Sequence, residues 1–232
     1  MAEIIFNGPD GRLEGIYHQS TNSKAPAALV LHPHPLHGGT MNNKVAYNIY
    51  HAFARHGFSV LRFNFRGVGR SQGVFDHGIG ELSDAASALD WLQLQNPDTT
   101  SFWVGGFSFG SWIAMQLLMR RPELIGFISV SPPVASFDFN FLSPCPAKGI
   151  ILQGTEDSIV KESDVTKFFD KLSRQKNPGL EYERIEGGDH FYRTTMDKLN
   201  KSMDEYIVKR LADIAQKPRR IKPDRRRRQP TS

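Results

Sequence analysis

The sequence is short of cysteine, of long apolar runs and of charge bias in its main body, and each shortage removes a class of protein. Cys145 stands alone among 232 residues, so no disulfide closes within the chain, and a reducing compartment fits. It lies between Pro144 and Pro146 with no Cys or His beside it. A reactive thiolate needs an electropositive setting, so this cysteine reads as structural. No segment reaches the ~18 consecutive apolar residues of a membrane span. The N-terminal MAEIIFNGPDG has no basic stretch followed by an apolar run, which makes the cytoplasm the expected location. The net charge of +5 is concentrated at one end: residues 217–228 hold eight Lys and Arg against one acid, leaving 21 basic and 23 acidic residues elsewhere. The body therefore offers no broad basic face for nucleic acid.

What is present describes one α/β domain. Hydrophobic residues make up 39% and charged residues 23% of the chain, enough for a sizeable core. EIIFN and GRLEGIYH flank GPDG, a strong turn signal, and predict an opening hairpin. AALVLH (residues 27–32), FSVLRFNF (58–65), SFWVGGF, LIGFISV and KGIILQG are apolar runs of the kind buried on both faces of a parallel sheet. Helical segments are expected near 42–55, 81–95, 109–119, 161–172 and 194–215, with the alternating LEYERIEG as a further strand. Strands alternating with helices argue for a mainly parallel sheet covered on both sides, with the hairpin as an antiparallel edge. The domain is expected over 1–216. Residues 217–232, KPRRIKPDRRRRQPTS, contain almost no apolar side chains and read as a disordered basic tail.

The chemistry-bearing stretch is GGFSFGSW. Gly106-Phe107-Ser108-Phe109-Gly110 matches G-x-S-x-G between a strand and a helix, the context in which a strained turn exposes a nucleophilic serine. Serine needs a base. Of eight histidines only His190, in GGDHFY, follows Ser108, and the chain order nucleophile, acid, histidine selects it. For the acid, Asp157 in LQGTEDSIV follows a buried strand closely. Asp138 is its chief rival, with Glu156 and Asp189 behind; Asp189, adjacent to His190, is poorly placed to reach the ring.

Together LHPHPLHGGTMNN, LRFNFRGVGRSQG, GGFSFGSW, QGTEDSIV and GGDHFY resemble the α/β-hydrolase superfamily, specifically small uncapped bacterial members related to dienelactone hydrolase. The resemblance spans about residues 27–207. It implies an α/β-hydrolase fold without a cap domain, and Ser108, Asp157 and His190 as nucleophile, acid and base. The resemblance fixes the chemistry better than the substrate; a serine mechanism of this kind needs no cofactor and takes a small acyl compound.

LHPHPLH packs His32, His34 and His37 into six residues and imitates the H-x-H-x-D-H of zinc hydrolases. Leu36 stands where the aspartate belongs, and no later His or Cys cluster completes a site, so no metal is expected. In an α/β-hydrolase this loop donates one backbone N–H to the oxyanion, and the residue after the nucleophile donates the other. Pro33 and Pro35 have no N–H, which leaves His34 to pair with Phe109. His32 is expected to pack at the strand end; His37 has no assignment. The seventeen residues 131–147 are too few for a lid domain. Within them Phe137, Phe139 and Phe141 alternate and would share one face of an extended segment. With Phe107, Phe109 and Phe191 they either line an apolar acyl pocket or simply pack the loop onto the body. Arg66 and Arg70 in RGVGRSQG read as parts of a structural turn.

The expectation is a serine hydrolase of esters or related acyl bonds, thioester, lactone and peptide bonds included. The alternative is a binding or scaffold protein whose basic tail contacts nucleic acid or anionic lipid through phosphate charge.

Overall fold

In a computed structural model the described residues are 2–142, 144–175 and 179–216; the basic tail expected at 217–232 lies outside them. The hairpin β1 (Ala2–Gly8) and β2 (Gly11–His18) leads into β3 (Ala27–Leu31), α1 (Lys44–Arg55), β4 (Ser59–Phe63) and α2 (Ile79–Gln95). Next come β5 (Phe102–Phe107), α3 (Phe109–Arg120), β6 (Leu124–Val130), β7 (Lys148–Gly154), α4 (Glu162–Ser173), β8 (Leu180–Ile185) and α5 (Met196–Gln216). The strands form one sheet in the order β1-β2-β4-β3-β5-β6-β7-β8. β1 and β2 run antiparallel and every pair from β4–β3 to β7–β8 is parallel, as the apolar strand pattern predicts.

Each face of the sheet has its own core. One, with Leu29, Leu61, Val104 and Phe127 at its centre, is closed by α2, α3 and α4; the other, with Val30, Val60, Trp103 and Ile128, is closed by α1 and α5. All five residues of β3 are buried, because a central parallel strand packs helices on both sides. The Asn43 side chain accepts the Val45 and Ala46 N–H groups and starts α1, supplying partners for otherwise orphaned donors. Between β6 and β7 the loop 131–147 has no helix or strand among its described residues, so no cap covers the carboxyl ends of the strands, where chemistry gathers in such sheets.

The turn after β4 is tied down by charge. Arg66 donates from Nε to Asp84 Oδ2 (3.0 Å) and from Nη2 to Oδ1 (2.7 Å), and its backbone N–H also reaches Oδ2 (3.0 Å). Their side chains are 8% and 1% exposed, and the fork-to-fork geometry fixes α2 against the sheet. Arg70 pairs with Glu14 (2.7 Å) and Glu3 (3.0 Å). Both arginines are structural, as the sequence suggests. Replacing Asp84 by Ala leaves the buried guanidinium with the 3.7 Å contact to exposed Asp10 and is expected to cost about 3–5 kcal/mol. Asp90→Ala, at the 62% exposed partner of Arg121, should cost under about 1 kcal/mol. Urea midpoints of the two variants check the contrast.

Candidate active site

The turn between β5 and α3 places Ser108 at φ 52°, ψ −121°, a backbone state that is costly for a residue with a Cβ. The glycines around it are there for space. A Cβ on Gly106 would run into the Gly110 carbonyl, and one on Gly110 would run into the Leu31 and His32 carbonyls of the neighbouring strand end. The Ser108 N–H donates to Val130 O at 2.9 Å, which fastens the turn to β6.

Asp157 follows β7 and His190 follows β8, so both loops open at the carboxyl edge of the sheet where Ser108 sits. His190 Nδ1 lies 2.8 Å from Asp157 Oδ2. The second carboxylate oxygen accepts the N–H groups of Ile159 (2.9 Å) and Val160 (2.8 Å). Burial alone would raise the Asp157 pKa; the hydrogen bond and charge of His190 and these backbone donors outweigh it and hold it below the ordinary carboxylate value. Of the rivals, Asp138 instead accepts the Asn140 N–H, and Asp189 pairs with Arg193. With Nδ1 engaged, Nε2 is the ring nitrogen left without a partner among the described residues. Ser108 and His190 line one cavity of about 190 Å³, with His34, His37, Asn43 and Ile159 among its other walls. No hydrogen bond joins Ser108 to the ring among the described residues; such contacts often tighten only with substrate bound.

Three further side chains hold this pair without a role read from the sequence, although Gln153 opens QGTEDSIV and Tyr192 closes GGDHFY. Gln153 donates to Asp157 Oδ2 (3.2 Å) and Val160 O (2.8 Å). Tyr192, fully buried, shares a 2.9 Å hydrogen bond with Ser131; both have positive φ, 53° and 46°. This bond pins the His190 loop to the end of β6. The only hint in the sequence is a tyrosine two residues past the histidine.

The HPHPLH loop folds back on itself, with the N–H groups of His37 and Gly39 both donating to His34 O (3.1 and 3.0 Å). A 3-10 turn over Pro35–His37, absent from the sequence expectation, is capped by His34 Nδ1, which accepts the Leu36 N–H at 3.2 Å. The backbone N–H groups of His34 and Phe109 have no acceptor among the described residues. Polar residues of β4 and the turn after it secure the far end of the loop: Arg62 Nη1 donates to Met41 O (2.6 Å) and Asn64 Oδ1 accepts the Met41 N–H (2.7 Å).

The three histidines have separate environments. His32 is wholly buried; its Nδ1 lies 2.7 Å from Pro33 O and its Nε2 accepts the Phe65 N–H at 3.0 Å, so both ring nitrogens are engaged and neither is available to a metal. Desolvation pushes its pKa down to about 4, which keeps it neutral. His34 stacks on His37 with ring centres 4.4 Å apart and lies 4.9 Å from Phe109. Burial first, then the nearby His37 and His77, lowers its pKa. No group of three or more His, Cys, Asp or Glu is placed to hold a metal among the described residues.

The aromatic residues divide rather than sharing one pocket. Phe191 lines the Ser108 cavity. Phe107 is buried against the His190 ring, centres 4.9 Å apart. Phe137 lies on Trp112 (4.4 Å) and near Phe109 (5.7 Å), whereas Phe139 and Phe141 stack on each other at 6.1 Å and Phe139 packs against Phe168. The loop is not extended, yet Phe137 and Phe139 line one cavity, which Ser108 does not line, and Phe141 stacks on Phe139. Cys145 is buried, and its thiol donates to Ala147 O; burial raises its pKa, consistent with a packing role.

The sequence pattern of the X-Pro dipeptidyl-peptidase (S15) family matches residues 16–141. An uncharacterized protein of Rickettsia prowazekii is 53% identical over 212 residues, which is 90% of this chain and 89% of that one. Among solved structures, an alpha/beta hydrolase of unknown function from Agrobacterium tumefaciens superposes with a TM-score of 0.89 at 51% identity, covering 91% of this chain and 97% of its own. An α/β serine hydrolase without a lid from Xanthomonas campestris gives 0.81 at 31% identity, over 90% and 94%.

The buried His32 makes a pH prediction. Its folded-state pKa of about 4 lies below the ordinary 6.5, so the unfolded chain binds an extra proton between those values. Stability contributed by the neutral ring is present above pH 6.5 and is lost as pH falls toward 4, by about 3 kcal/mol at most. Urea unfolding at pH 7.5 and 4.5 should show this loss in the wild type and a smaller one in His32→Gln.

Proposed function

We propose that this chain, which belongs to the α/β-hydrolase superfamily as a serine hydrolase of the group without a lid, cleaves a carboxylic ester through an acyl-enzyme. The observation that carries the reading is the 2.8 Å hydrogen bond between Asp157 and His190, the latter lining one cavity with the strained Ser108. In this reading Ser108 Oγ attacks the ester carbonyl and passes its proton to His190 Nε2. The resulting imidazolium is stabilised by ionised Asp157. The tetrahedral oxyanion receives the N–H groups of His34 and Phe109, and the N-terminal end of α3 adds its partial positive charge. Collapse releases the alcohol, protonated by His190, and leaves the acyl group on Ser108. Water, deprotonated by the same histidine, then frees the acid.

An ester fits better than an N-terminal dipeptide. The S15 pattern stops at residue 141, before Asp157 and His190, so it speaks for the nucleophile half of the fold. A dipeptide substrate presents a free ammonium group, which calls for a carboxylate in the site. Among the described residues no Asp or Glu lines the Ser108 cavity.

Labelling with a fluorophosphonate probe tests the mechanism. Wild-type protein should label with or without a chelator, and Ser108→Ala should not. Turnover of a simple ester should fall by a factor on the order of 10⁶ in Ser108→Ala. Wild-type rates or labelling retained in that variant would overturn the assignment.

A further inference from the structure

A second cavity, of about 370 Å³, lies between the loop 131–147 and α4. Phe137, Phe139, Leu142, Phe168 and Leu172 are among its lining residues. It is nearly twice the volume at Ser108 and falls in the range of ligand pockets, whereas 190 Å³ falls below it. The Ser108 cavity alone buries only the reacting group and a few neighbouring atoms.

Two observations place the cavities side by side. Phe137 lines the larger one, and its ring centre lies 6.5 Å from that of His34, which lines the smaller. The same ring sits 5.7 Å from Phe109, whose N–H is the second oxyanion donor in the proposed mechanism. One layer of rings thus separates the two spaces. The layer is anchored, because Trp112 carries Phe137 on its face and donates from Nε1 to Asp138 O at 2.9 Å.

The lining also selects by chemistry. Lys167 pairs with Asp164 at 3.7 Å, Lys171 donates to Asn140 Oδ1 at 2.6 Å, and Asp138 offsets the second lysine. Two cations and two carboxylates leave no net charge to attract an ionic group. The ring walls, with Phe139 and Phe168 edge to face at 5.2 Å, suit an aromatic guest, which gains from edge-to-face contact beyond area burial.

We infer that this groove is a subsite for an uncharged aryl group, carried on a short alkyl spacer from the ester bound at Ser108. The inference rests on the serine-hydrolase reading. It makes the substrate an arylalkyl ester: the carbonyl sits at Ser108, the spacer passes over the partly exposed edge of the His34–Phe137 ring layer, and the aryl group lies against Phe139 and Phe168.

Released acid is measured for ethyl acetate, ethyl 4-phenylbutanoate and 3-phenylpropyl acetate, which place the ring on the acyl or the alcohol side. One of the two aryl esters should exceed ethyl acetate in kcat/KM by 30-fold or more, mainly through KM. Phe168→Glu puts a charge in the groove, and Asn140→Trp, at an exposed position, fills it from the rim. Each should cut the aryl-to-acetate ratio at least tenfold, and thermal unfolding confirms that each variant is folded. A wild-type ratio under three, or a ratio unchanged in both folded variants, overturns the subsite. If Ser108 still labels with fluorophosphonate in that case, the hydrolase reading stands. Absence of both labelling and ester turnover overturns the two together.

Discussion

Ser108 is held in a backbone conformation that costs a serine on the order of 1–3 kcal/mol, and the surrounding packing leaves it no alternative. Gly110 touches the carbonyls at the end of β3, Gly106 touches Gly110, and the Ser108 N–H is committed to β6. These contacts set the distance between the loop after β3 and the first turn of α3, and with it the separation of the His34 and Phe109 N–H groups. The two central strands supply that rigidity: β3 and β5 pair along residues 27–31 and 102–106 and are buried on both faces.

Around this point, polar side chains do the positioning. His32 ties the end of β3 to the Phe65 N–H, Arg62 and Asn64 hold the loop at Met41, and Tyr192 and Ser131 clamp the His190 loop. Apart from Arg62 Nε, which has no hydrogen-bond partner among the described residues, they spend their hydrogen-bonding groups on backbone or on another side chain in a dry setting, where a satisfied bond specifies one geometry and an unsatisfied one is costly. The histidines illustrate how surroundings divide one residue type. His190, bonded to a buried carboxylate, is the base in the proposed mechanism; His32, bonded on both sides to backbone, is kept neutral as a strut. His34, whose backbone N–H is an oxyanion donor in the same proposal, caps a turn with its ring and joins the aromatic layer.

That layer is built from His34, Phe75, Phe109, Trp112 and Phe137. An irregular loop replaces added helices above the sheet, so the site is walled by rings rather than enclosed. The same loop leaves space along α4, because its described part contributes no regular element to pack there.

The strands, the helices and the candidates Ser108 and His190 are legible in the sequence because each depends on local rules. Apolar runs bury in a parallel sheet, G-x-S-x-G needs a strand before it and a helix after it, and only one histidine follows the serine. The prolines flanking His34 likewise single out one donor, since an absent N–H can be read from sequence. Local rules do not determine which side chains meet across the fold. The choice of Asp157 over Asp138, the engagement of both His32 nitrogens, the Tyr192–Ser131 clamp and the division of the phenylalanines all join residues from different strand ends. Those meetings follow from sheet order and loop conformation, and a period of two or of 3.6 carries no information about either.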